Sequence, residues 1–129
     1  MNPVCEYEKF RATNVLIRTI ADRLSLFQFN FKSEMELHEG IAQVLSMADI
    51  RFDREVHIST HERLDLLTHE GIALEIKVRG SLSDVTRQVY RYAQQPRVRG
   101  ILVVSSSIRS EPLKFEGKPV EFTTLRGYL

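Results

Sequence analysis

From Glu6 to Leu24, the apolar residues Phe10, Val15, Ile17, Ile20 and Leu24 recur among charged neighbours at intervals that predict a helix. Phe27, Phe29 and Phe31 then alternate with polar residues, which predicts a short extended segment packed on one face. Ser33 followed by Glu36 forms a capping box, and Leu37, Ile41, Val44, Leu45 and Ala48 continue from it as one helical stripe. Ile50–Ile58 reads as a strand with Phe52, Val56 and Ile58 on one side. Arg63–Leu67 and Ile72–Val78 are two further strands, separated by His69-Glu70-Gly71. Gly80-Ser81 breaks the chain. Leu82–Gln95 then forms a second long helix, with Leu82, Val85, Val89, Tyr92 and Ala93 facing inward and Pro96 ending it. The unbroken run Ile101-Leu102-Val103-Val104 suits a strand covered on both faces. Pro112, Gly117 and Pro119 mark turns, and Val120–Leu125 is expected as an edge strand. The order is helix, three strands, helix, strand, with extra pieces at each end, and its class is α/β.

The chain has 129 residues and carries no repeat, low-complexity tract or Pro/Gly-rich linker, so residues 1–129 are expected to form a single domain. Its 43% hydrophobic content is enough for one core without covalent staples. Cys5 stands alone, which excludes an intrachain disulfide, and no Cys/His spacing resembles a zinc site. No apolar run approaches the roughly 20 residues of a membrane helix, and no signal pattern opens the chain. A cytoplasmic protein with no membrane partner is expected. The net charge of +1 hides an asymmetry. Lys32 to Glu75 carries four bases against ten acids, whereas Lys77 to Arg109 carries seven bases against Asp84 alone. Such halves would suit a protein that holds a cation beside a phosphodiester, although scattered solvated arginines give the same count.

The middle hairpin concentrates the chemistry. A three-residue hairpin loop commonly ends in a left-handed residue, and Gly71 meets that need. Thr68 then faces Ile72, and the register pairs Leu66 with Leu74, Asp65 with Glu75, and Leu64 with Ile76. Leu64, Leu66, Ile72, Leu74, Ile76 and Val78 would share one face, leaving Asp65, Glu75 and Lys77 together on the other. Directly opposed residues have Cβ atoms about 4.5–5.5 Å apart, so the two carboxylates would repel each other at close range. Two arrangements relieve that repulsion: ion pairing with Lys77 on an open sheet face, or a divalent cation held by hard oxygens.

Two flanking features bear on the choice. Glu34 falls within the apolar arc of its helix, where a carboxylate needs a metal, a base, water, or an escape to solvent through the first turn. Gln88 lies one turn from Tyr92 on the border of an apolar face. It either packs as a boundary residue or donates hydrogen bonds to a phosphate or a water.

This constellation resembles the PD-(D/E)XK nuclease superfamily. The resemblance covers about residues 33–106: Asp65, nine intervening residues, then Glu75-Ile76-Lys77, with Glu34 on the preceding helix. Gln88-Val89-Tyr90-Arg91-Tyr92 is similar to the glutamine–tyrosine motif of the RecB-like branch. Leu64 stands where the family carries its proline. The resemblance implies a restriction-endonuclease-like αβββαβ core with a mixed sheet between helices. It implies Mg²⁺ or Mn²⁺ held by Asp65, Glu75 and the carbonyl of Ile76, with Glu34 nearby, and water attack on phosphorus assisted by Lys77. The catalytic set would be Asp65, Glu75, Lys77, Glu34 and Gln88. Arg79, Arg87, Arg91 and Tyr92 would contact DNA, the arginines through its backbone phosphates. The expected activity is structure-selective or non-specific DNA hydrolysis, as in the archaeal-type Holliday junction resolvases. A nucleic-acid-binding or regulatory protein that keeps the fold without cutting is the alternative. A chain this short would often act as a homodimer to address both strands of a duplex.

Overall fold

The computed structural model describes residues 3–127, so the outermost two residues at each end of the expected domain lie outside the described residues. The chain runs α1 (Pro3–Ser25), β1 (Gln28–Phe29), α2 (Glu34–Met47), β2 (Phe52–His57), β3 (Arg63–Thr68), β4 (Ile72–Lys77) and α3 (Leu82–Ala93). It ends with β5 (Gly100–Ser105), β6 (Leu113–Phe115), β7 (Lys118–Thr124) and β8 (Arg126–Gly127). Ser33 caps α2 by accepting the Glu36 N–H at 3.3 Å, and Ser81 caps α3 by accepting the Asp84 N–H at 3.1 Å. Each thereby satisfies one of the backbone donors left free at a helix start. No helix among the described residues is long and apolar enough to cross a membrane.

Six strands form one sheet in the order β2-β3-β4-β5-β7-β6. β4, β5 and β7 run parallel, while β2–β3–β4 and β6–β7 are antiparallel, so the sheet is mixed. On one face, Ile17, Ile20 and Leu24 of α1 and Leu37, Ile41 and Leu45 of α2 bury Leu74, Ile76, Leu102 and Val104. On the other, Val85, Val89, Tyr92 and Ala93 of α3 cover Ala73, Ile101, Val103 and Val120. Burying each large aliphatic side chain contributes roughly 1.5–3 kcal/mol, so these two layers hold the sheet between them. This is an α/β fold with helices on both faces. β5 is buried along its whole length, as its apolar run predicts.

Several boundaries depart from expectation. Val15 and Leu82 lie largely exposed, because α1 and α3 turn those positions away from the sheet. The strand expected at the edge, β7, is interior: β6 pairs outside it through a two-residue turn at Glu116-Gly117, both with positive φ. Phe29 is buried as foreseen, but β1 pairs with β8 in a separate two-stranded sheet.

The larger departure lies in β2 and β3. Phe52 and Leu66 pack toward α1 and α2, yet Val56 and Leu64, which share their parity, pack toward α3. Strict alternation forbids this. Glu55 supplies the reason: its φ of 51° is left-handed and rotates the strand between Arg54 and Val56. The register of β2 and β3 is otherwise continuous, with Arg54 opposite Leu66 and Val56 opposite Leu64. Glu55 and Asp65 fall between those pairs and are not paired with each other.

A left-handed conformation costs a non-glycine residue roughly 1–2 kcal/mol, which glycine escapes. Glu55→Gly is therefore expected to raise stability by about 1 kcal/mol, and Glu55→Val to lower it by about 1–3 kcal/mol, both measured by urea unfolding. A glycine variant as unstable as the valine variant would contradict the rotation.

Candidate active site

Gly71 closes the β3–β4 hairpin with φ of 94°, as the loop chemistry requires, and the Gly71 N–H donates to the Thr68 carbonyl at 2.9 Å. The Thr68 hydroxyl accepts the Ile72 N–H at 2.9 Å. The expected register holds at Leu66–Leu74 and Leu67–Ala73, then stops. Asp65 and Glu75 are not a ladder pair, and neither are Leu64 and Ile76. Asp65 instead turns its side chain inward, and its Oδ2 accepts the Ile76 N–H at 2.9 Å. A carboxylate has taken the place of a backbone carbonyl, and the rotation at Glu55 is what releases Asp65 from its other neighbour.

Glu75 points toward α3 and is only 3% exposed. Lys77 Nζ approaches its Oε1 to 3.4 Å, longer than a good charge-assisted hydrogen bond. Its Oε2 is buried without a hydrogen-bond partner. The Tyr92 hydroxyl lies near enough to favour the ionised Glu75 carboxyl slightly, while Gln88 Nε2 donates to it at 2.5 Å and it donates to the Arg63 carbonyl at 3.3 Å. Burial, and secondarily the Asp65 charge, push the Glu75 carboxyl up to about 8 despite Lys77. Burial likewise raises Asp65, opposed by the Ile76 N–H and by nearby His38 and Lys77, and reinforced by Glu34. Tyr92 is held above the usual phenol range by burial and then by the Glu75 charge.

The other expected residues divide. Ile76 contributes its N–H to Asp65, and Gln88 reaches Tyr92, so both belong to the cluster. Glu34 is exposed at the start of α2 rather than buried, with His38 Nε2 at 3.7 Å from its Oε1. Arg87 pairs with Asp84, and Arg91 pairs with Glu62 of the β2–β3 connection. Arg79 is exposed and makes no ion pair among the described residues. Sequence reasoning missed His38, whose Nε2 is buried without a hydrogen bond. Its spacing of four from Glu34 was the available signal, since that spacing places both on one side of a helix.

Glu75 Oε2, buried without a hydrogen bond in a cluster where two carboxylates are both pushed toward protonation, is an oxygen that a hard divalent cation could take, while His38 Nε2 has only the Glu34 carboxylate at 3.7 Å among the described residues. Among the described residues, no three His, Cys, Asp or Glu side chains stand close enough to hold an ion by themselves. Mg²⁺ is commonly held by one or two carboxylates and completes its shell with water, so Asp65 and Glu75 meet its protein requirement. No family model, curated protein or solved structure matches the chain significantly.

The raised Glu75 pKa carries a stability consequence. Between its ordinary value of 4.5 and about 8, the folded protein binds a proton that the unfolded chain has released. Stability therefore falls as pH rises through that window, by on the order of a few kcal/mol. Thermal melts in chelator from pH 5 to 9 should show this decline, and Glu75→Gln should flatten it. A metal-free protein that grows more stable toward pH 8 would mean that Lys77 already satisfies the pair.

Proposed function

We propose that the protein is a divalent-metal-dependent nuclease of the PD-(D/E)XK type that hydrolyses phosphodiester bonds of DNA. The observation that carries this reading is the buried Glu75 carboxylate, left with one oxygen unpartnered beside Asp65 and approached only loosely by Lys77. A stable fold gains nothing from that arrangement alone, since the carboxyl must either keep its proton or carry an under-compensated buried charge. It gains its use from a ligand.

Asp65 and Glu75 would hold Mg²⁺ or Mn²⁺, with Glu34 and His38 within the same electrostatic neighbourhood of Asp65. A bound divalent cation supplies Lewis acidity to the phosphodiester and to the attacking water. The chain's own groups do the rest. Lys77, partly exposed and anchored by Glu75, offers a cation for charge developing on phosphorus-bound oxygens. Gln88 and Tyr92 form a rigid pair behind the carboxylates, which keeps Glu75 dry and raises the strength of every charge interaction around it. Arg79 contributes a phosphate contact that positions the strand without reading sequence.

A second reading, a nucleic-acid-binding protein that does not cut, draws support from the absence of a third close ligand among the described residues. Turnover separates the two. With Mn²⁺, the protein should cleave a DNA substrate, and Asp65→Ala and Glu75→Ala should abolish cleavage while the fold persists. Lys77→Ala should retain metal and DNA binding yet slow cleavage by roughly 10²-fold or more, the scale of a transition-state electrostatic group. Metal and DNA binding with no cleavage of linear, circular, single-stranded or junction DNA would establish the non-cutting reading instead.

A further inference from the structure

Beside Asp65 opens a cleft of about 390 Å³ that Gln88 and Tyr92 share with the carboxylate cluster and whose remaining walls lie outside it. His57 at the end of β2, Thr60 and His61 in the following turn, and Arg63 at the start of β3 form one side. Gln88, Arg91 and Tyr92 of α3 form the other, with Asp65 between them. The turn is built by the Glu62 carbonyl accepting from both Ile58 and Ser59. Glu62 then ties it to α3 through Arg91. His57, Thr60 and His61 make no side-chain hydrogen bond or ion pair among the described residues, and all three are exposed to the cleft or its rim. The connection carries polar groups that the fold itself does not use.

We propose that this cleft is a subsite for one unpaired nucleotide of a DNA strand, an inference that rests on the nuclease reading and narrows its substrate to single-stranded or locally unpaired DNA. The chemistry of the walls points to a nucleotide. Imidazole rings and guanidinium planes are surfaces on which an unstacked base can lie. Gln88 and Thr60 can both donate and accept hydrogen bonds, as a base edge requires. Arg63, 3.9 Å from Glu55, and Arg91, paired with Glu62, would meet the flanking phosphate as two-pronged donors on exchanging those carboxylates for it. The size agrees, since the cleft lies at the small end of ligand pockets of roughly 300–1,000 Å³. A base still paired and stacked in a duplex offers only its edge in the grooves and cannot lie on these walls. Asp65 lines the same space, so a nucleotide seated there brings its phosphodiester to the carboxylates. Glu62, paired with Arg91, stands where an incoming phosphate would compete.

Fluorescence anisotropy of a labelled oligothymidine and of a blunt duplex, in chelator at fixed low salt, reads the subsite without any cleavage. The single strand should bind about tenfold more tightly than the duplex. The double variant His57→Ala/His61→Ala should lose about tenfold for the single strand, the scale of one forfeited base stack, and leave the duplex unchanged. Both residues are exposed, so the fold is not at stake. Glu62→Gln, which removes the competing carboxylate, should tighten single-strand binding. Equal affinity for the two forms, indifference to the histidine pair, or no binding at all overturns the subsite. Repeating the comparison with Mn²⁺ keeps the two readings apart. A histidine-dependent single-strand preference without cleavage retains the subsite and removes the nuclease. Cleavage of intact duplex, independent of His57 and His61, retains the nuclease and removes the subsite.

Discussion

Glu75 sits where water is largely excluded, and the charge of Asp65 beside it makes its ionisation harder still. A lone carboxylate taken from water is destabilised by several kcal/mol, and here burial raises the proton affinity of both Asp65 and Glu75, with the Asp65 charge adding to the rise at Glu75. Lys77 offsets part of this from one side and the Ile76 N–H from another. Neither reaches Glu75 Oε2. α3 seals the site from above with Tyr92, whose hydroxyl is already engaged by Gln88 and the Arg63 carbonyl. The result is a cavity in which Glu75 is buried with one oxygen unbonded while Asp65 opens onto the neighbouring cleft.

That cavity exists because the sheet breaks its own rule at one level. The left-handed Glu55 turns β2 over, Val56 and Leu64 follow to the α3 face, and Asp65 leaves both ladders. Sparsely populated backbone conformations persist where surrounding structure holds them and gather at functional sites. In this protein the hold comes from the continuous β2–β3 register on either side of the break and from the apolar layers above and below it. The same break sends the β2–β3 connection toward α3, where Glu62 meets Arg91 and the cleft beside Asp65 opens.

The element order, the Ser33 cap and the hairpin register next to the turn were legible in the sequence because each rests on local chemistry. A serine at a helix start, a glycine at a left-handed loop position and a helical stripe all declare themselves within a few residues. Asp65, Glu75 and Lys77 were expected on one face through a direct Asp65–Glu75 pairing that the structure does not contain, and Gln88 with Tyr92 through helical spacing. The face switch was not legible, because the left-handed residue is a glutamate, and nothing in its neighbourhood distinguishes it from a strand position. β7 reads as an edge in the sequence because Leu113–Phe115 is too short to read as a strand of its own. His38 escaped notice because the apolar stripe of α2 explains its neighbours without it. The pairing of Arg87 and Arg91 with Asp84 and Glu62 depends on side-chain directions, and in Arg91's case on a contact 29 residues away.

The central claim is that the buried carboxylate pair is incomplete without a divalent cation. Calorimetric titration of Mn²⁺ into the protein at pH 7, repeated in buffers of differing ionisation enthalpy, measures stoichiometry and protons exchanged together. Because the Glu75 carboxyl titrates near 8 without metal, it is largely protonated at that pH, and an ion must displace its proton. The account predicts one ion bound per chain with close to one proton released, and loss of both signals in Glu75→Gln. Binding with no proton release, binding unchanged in Glu75→Gln, or no binding at millimolar Mn²⁺ would contradict it.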